Sequence, residues 1–116
     1  MQSGSSKVNQ VVAAVRQEFL QRVMCQKDEF RKISEGGLDV FDAGTVRWLY
    51  FECHKINGIA KSVGLENMGA AAAEVENLVE HLRNGACDLE SEMPKLTVAI
   101  RALTLEIEKS AATIQP

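Results

Sequence analysis

Apolar residues recur at three- and four-residue steps through four segments of this chain, and glycines close the first three. That spacing gives an α-helix one apolar stripe and leaves its opposite face to water. In the first segment the stripe is Val8, Val12, Val15, Phe19, Val23, Phe30 and Ile33, with Gly36-Gly37 as the C-terminal cap. Gln26 and Lys27 weaken it, so a bend or break would fall there. The second stripe is Val46, Leu49, Cys53, Ile56, Ala60 and Val63, opened by Asp42 as N-cap and stopped by Gly64. The third is Leu65, Met68, Ala72, Val75, Val79 and Leu82, ending at Asn84-Gly85. The fourth is Met93, Leu96, Ile100, Leu103, Ile107 and Ala111. Pro94 fits that helix in its first turn, where a missing N–H is no loss. No stretch carries the two-residue alternation of a half-buried strand.

The spacing predicts a flexible tail over about 1–6 and helices over about 7–35, 43–63, 66–84 and 91–112. Short polar joints make neighbouring helices antiparallel. The expected fold is therefore all-α, an up-down-up-down four-helix bundle spanning 7–116. At 116 residues and 46% hydrophobic, the chain suits one domain with a sizeable core.

A net charge of -3 argues against nucleic acid as the partner. No apolar run approaches the ~20 residues of a membrane span, and the polar start lacks a signal peptide's hydrophobic region. Cys25, Cys53 and Cys87 are odd in number and widely spaced. They read as small core residues in a reducing cytosol, not as a disulfide framework. A cytoplasmic location is expected.

Inside the second helix Gly58 costs roughly 0.5–1 kcal/mol relative to alanine and so needs a reason. At 100° per residue, Arg47, Gly58 and Lys61 fall within about 40° of His54, and Tyr50, Phe51 and Asn57 within about 60°. Leu49, Cys53, Ile56, Ala60 and Val63 lie between about 100° and 180° away. His54 thus stands on the water side, one turn from a residue with no side chain. Arg47, Lys55 and Lys61 bring positive charge suited to a phosphoryl group. Tyr50 and Phe51 offer apolar bodies to a partner, and Gly58 leaves a flat approach, so Arg47, Tyr50, Phe51 and Gly58 are the candidate docking residues. Glu52 projects toward the core side with no evident partner. Cys53 and His54 point about 100° apart, so no metal site is expected. His81 reads as a solvated residue at the end of the third helix.

These residues resemble the histidine-containing phosphotransfer domain of two-component phosphorelays. His54, Ile56, Gly58, Ala60 and Gly64 match its helical histidine, the apolar residue two on, the glycine four on, the small residue beyond and the glycine ten on. Leu65, Met68, Ala72, Val75 and Glu76 resemble the start of that family's next helix. The resemblance implies a relay in which His54 takes a phosphoryl group from a receiver-domain aspartate and passes it to another receiver. It implies partners among response-regulator receivers and a hybrid sensor kinase, and no cofactor of its own, with magnesium held only in the receiver; a monomer is favoured, with the oligomeric state left open.

One position departs from the pattern. Three residues after the histidine the family usually carries lysine, and here stands Asn57. Lys55 and Lys61, with Asn57 itself, are then the residues expected to orient the phosphoryl group. The chain has no glycine-rich nucleotide loop or kinase signature, so it is not expected to be an enzyme on its own. A second reading, kept open by Asn57, is a degenerate bundle that docks or dimerises without accepting phosphate. A third is a plain structural bundle in which Gly58 has no role.

Overall fold

The structure is a computed structural model and describes residues 3–37, 39, 41–85 and 88–112. It contains four helices: α1 over Ser3–Glu35, α2 over Ala43–Ser62, α3 over Glu66–Arg83 and α4 over Leu89–Ala112. The described residues include no strand. The four-helix bundle read from the spacing is the fold observed.

The stripes of α2, α3 and α4 form the core as their spacing requires. Leu49, Cys53, Ile56 and Ala60 of α2 are buried, as are Met68, Ala72, Val75 and Val79 of α3. Leu96, Ile100, Leu103 and Ile107 of α4 have no measurable exposure. Helix α2 packs most extensively on α3, followed by α1 on α4 and α3 on α4, whereas α1 and α2, though consecutive in the chain, touch only sparsely. That sparse edge leaves a cleft of about 530 Å³ lined by Cys25, Gln26, Glu29, Ile33, Asp42, Gly44, Thr45 and Trp48. Phe30 and Trp48 bridge the same edge, with ring centroids 5.1 Å apart.

Helix ends follow their sequence signals. Asp42 accepts a hydrogen bond from the Thr45 N–H at 2.8 Å, and this bond holds its carboxyl below the ordinary value of 3.8. At the start of α4, Asp88 accepts from the Ser91 hydroxyl at 2.6 Å and from its N–H at 2.8 Å, which together hold its carboxyl below the ordinary value. Gly37, Gly64 and Gly85 take positive φ angles of 75°, 82° and 71°, a region open to glycine at little cost, and end the first three helices. The Arg16 Nε–H donates to the Val63 carbonyl at 2.8 Å, setting a cation at the C-terminal end of α2.

Four expectations are corrected. Helix α1 begins at Ser3, so the expected tail over 1–6 is shorter; residues 1 and 2 lie outside the described residues. No proline interrupts this opening, and serine is well tolerated where a helix starts. The first half of the α1 stripe is not full core: Val8 and Val15 are 61% and 42% exposed, Val12 is half-buried, and full burial begins at Phe19. The 33 residues of α1 run about 50 Å at 1.5 Å each, outreaching the 20-residue α2. Pro94 lies beyond the first turn, because Asp88 rather than a later residue caps α4. Its missing N–H leaves the carbonyl of Glu90 to water, and both residues are exposed. Cys53 is buried as expected, but Cys25 is exposed at the sparse α1–α2 edge, and Cys87 lies outside the described residues.

Two results follow for denaturation in urea. Leu103→Ala should cost about 2–5 kcal/mol, and Val11→Ser should stay within ~0.5 kcal/mol of wild type. Equal losses would mean that the start of α1 is packed. Because the folded state lowers the Asp42 and Asp88 pKa values, their stabilisation is present above pH 3.8 and lost as pH falls through the lowered values. The stability gap between wild type and Asp42→Ala should therefore narrow below that pH; a constant gap would contradict the capping account.

Candidate functional site

Burial sets the rotation of α2, and that rotation decides where His54 comes out. Cys53 is fully buried, so the next residue emerges at the edge of the α2–α3 contact. On α3 the same geometry applies to Glu76, which follows the fully buried Val75. The two edges meet: His54 Nδ1 lies 2.7 Å from Glu76 Oε2. The His54 side chain is 65% exposed, whereas that of Glu76 is 16% exposed.

An ionised carboxylate only accepts hydrogen bonds, so the nitrogen facing it carries the hydrogen. The neutral ring is then the Nδ1–H tautomer, with the lone pair on Nε2. A partly buried carboxylate thus assigns the two nitrogens different tasks, one held and one left for chemistry. Glu76 was legible in the sequence as a helix residue, not as part of the site. The signal that marks it is its place beside a core residue on the neighbouring helix.

Aromatic residues flank His54 on one side. The Tyr50 ring lies nearly parallel to the imidazole, at 13° with centroids 6.2 Å apart. Phe51 meets Tyr50 edge-on at 5.4 Å and is itself 51% exposed. The Arg83 guanidinium sits 4.4 Å from the Tyr50 ring centroid. The Glu80 carboxylate close to the Tyr50 hydroxyl holds its pKa above the ordinary 10.0.

On the other side the surface is open. A Cβ added to Gly58 would meet nothing within 4 Å, and Gly58 has no positive φ. Neither packing nor backbone conformation therefore demands glycine there. Gly69 on α3 is the contrast: a Cβ there would come 3.0 Å from Lys61 Cγ and 3.5 Å from the Asn57 carbonyl oxygen. Gly69 is explained by the seam between α2 and α3.

The basic and polar candidates divide. Lys61 is exposed, and its stem crosses Gly69. Lys55 pairs with Glu52 at 3.0 Å, and Glu52 also accepts from the Gln26 side-chain amide, so the carboxylate without an evident partner has two. Lys55 is thereby tied toward α1, away from the Glu76 side of His54. Asn57 turns into the α2–α3 seam, where its Oδ1 would lie 3.6 Å from a Cβ on Gly69 and is buried without a hydrogen bond. Arg47 is exposed one end further along, where it and Arg83 line a cavity of about 470 Å³ with Phe41, Val46, Leu82 and Leu89. Cys53 faces the core, where burial first and then the Glu76 and Glu52 carboxylates push its thiol pKa far up. That removes it from ligand or nucleophile chemistry beside His54.

The tautomer assignment is measurable. Nitrogen-15 spectra at alkaline pH should show wild-type His54 mainly as the Nδ1–H form, and Glu76→Ala should raise the Nε2–H fraction several-fold. Identical tautomer ratios in the two proteins would contradict the assignment. No family model matches the chain, and no characterised protein sequence or solved structure matches it at a significant level, so the reading of this site rests on the chain's own residues.

Proposed function

We propose that this chain is a phosphorelay intermediate, carrying a phosphoryl group on His54 between the aspartates of two receiver domains. The observation that carries the reading is the pair His54–Glu76: an exposed imidazole held at Nδ1 by a carboxylate, with Nε2 unengaged among the described residues. The open surface at Gly58 supports it, because the fold itself gives that glycine no role.

In this reading the Nε2 lone pair attacks the phosphorus of an aspartyl phosphate. An N–P bond forms, the P–O bond to the aspartate breaks, and the aspartate departs as a carboxylate. The ring keeps its Nδ1 hydrogen and becomes cationic, and Glu76 offsets that charge. A protonated ring is the better leaving group. When a second receiver's carboxylate oxygen attacks, the N–P bond breaks and its electrons return to Nε2. Glu76 serves both directions by stabilising the ring charge that develops with the bond.

Magnesium and the charges that stabilise the transferring group would come from the receiver's own acidic pocket. Tyr50, Phe51, Arg47 and Gly58 would form the docking face, and Lys61 would supply charge near the phosphoryl group. Lys55, engaged by Glu52, would contribute less. The chain would act in the cytoplasm, without nucleotide and without activity of its own. A degenerate docking bundle is the second reading, and Asn57 favours it: the residue standing where the family has lysine is turned into the helix seam.

Transfer of labelled phosphoryl from a phosphorylated receiver separates the two. Wild type should acquire acid-labile phosphate and His54→Gln none; no uptake from any cognate receiver would sink the relay reading. Gly58→Leu should slow transfer about tenfold or more, the scale of ~1.4 kcal/mol of lost contact, with helix content unchanged. Lys61→Glu should slow transfer more at low salt than at high salt, because exposed charges are screened. An equal effect at both would remove Lys61 from the phosphoryl site.

A further inference from the structure

Glu76 fixes one atom of the His54 ring, and one atom does not fix a plane. With only the Nδ1 contact the imidazole can still turn about the line joining it to Oε2, sweeping Nε2 across an arc. The structure supplies a second restraint one helical turn earlier on α2. Tyr50 lies nearly parallel to the imidazole at 6.2 Å and is only partly exposed. Its own ring is flanked from α3 by two residues, with the Arg83 guanidinium at 4.4 Å from the centroid and the Glu80 carboxylate near its hydroxyl.

The register makes this a continuous row. Glu76, Glu80 and Arg83 follow one another at steps of four and three along α3, so they share one face. Tyr50 and His54 are four apart on α2, which runs the other way. Glu76 therefore meets His54, and Glu80 and Arg83 meet Tyr50. Arg83 is exposed rather than core, and its place over an aromatic face is a cation–π contact.

We infer that Tyr50 is a positioning residue for His54: pinned by Arg83 and Glu80, it sets the plane of the imidazole so that Nε2 points outward while Glu76 holds Nδ1. The inference rests on the relay reading for its purpose, but the geometry it asserts exists without any partner. It gives Tyr50 a task beyond the docking it shares with the more exposed Phe51. It also explains how the site orients its nucleophile although Asn57 is turned away.

A receiver-free reaction tests it. Phosphoramidate phosphorylates histidine directly: Nε2 attacks phosphorus, the P–N bond of the reagent breaks, and ammonia leaves. Phosphate on His54 is read by peptide mass, with His54→Gln as background. Tyr50→Leu should slow this reaction about five- to tenfold, the scale of one aromatic contact, and should broaden the His54 ring signals in nitrogen-15 spectra. Tyr50→Phe, which keeps the ring, should stay within about twofold of wild type, and Arg83→Gln should fall between the two. Circular dichroism checks that each variant keeps its helix content.

Wild-type rates and ring signals in Tyr50→Leu would overturn the inference. So would a variant whose only defect is a raised half-saturating concentration of receiver, since that is a docking role. Loss of positioning in Tyr50→Leu together with no uptake from any receiver by wild type would uphold the inference and sink the relay reading.

Discussion

The seam between α2 and α3 is the constraint on which the site depends. Leu49, Cys53, Ile56 and Ala60 face Met68, Ala72, Val75 and Val79, and burying these stripes fixes the rotation of both helices. Each buried side chain of this size contributes on the order of 1.5–3 kcal/mol, so a rotation that exposed the stripe would cost far more than any surface contact returns. His54 and Glu76 are the residues next to Cys53 and Val75. Their 2.7 Å contact is a consequence of core packing rather than of a surface ion pair finding its partner. A pair positioned by the core keeps its geometry when salt screens its charges.

The site then divides along α2. Toward the helix start it is built and ordered, with Tyr50 parallel to the imidazole and Arg83 and Glu80 gathered around Tyr50. Toward the helix end it is bare, with Gly58 open and Lys61 stretched over Gly69. A reactive nitrogen between an ordered wall and an empty shelf suits a large partner that brings its own reacting atom. It does not suit a small substrate, for which the site provides no enclosing pocket. Cavities at the α1–α2 edge, at the end of the bundle and between α3 and α4 are lined by none of Tyr50, His54 or Glu76.

Much of this was legible in the sequence, for reasons that particular residues make clear. Heptad spacing in α2, α3 and α4 reported burial faithfully, because those helices are covered along their length. The same spacing misread the start of α1, where Val8 and Val15 continue the pattern but are largely uncovered. Periodicity says which residues share a face; it does not say whether anything covers that face. Gly58 was legible as a glycine without an internal cause, and the structure agrees. Gly69 was not, since its cause is the Lys61 stem on another helix. Glu76, Glu80 and Arg83 were illegible as site residues for the same reason: helix projection maps one helix at a time, and these act across a seam. Pro94 escaped because the cap proved to be Asp88, which moved the helix start by a few residues.

The central claim is that Glu76 reserves Nδ1 and leaves Nε2 as the atom that carries the phosphoryl group. The most direct measurement is phosphorus-31 and nitrogen-15 NMR of the chain after exchange with a phosphorylated receiver. The account predicts one phosphorylated residue, His54, with phosphorus bonded to Nε2 and the hydrogen retained on Nδ1. Phosphorus bonded to Nδ1, or to His81 instead of His54, would contradict it.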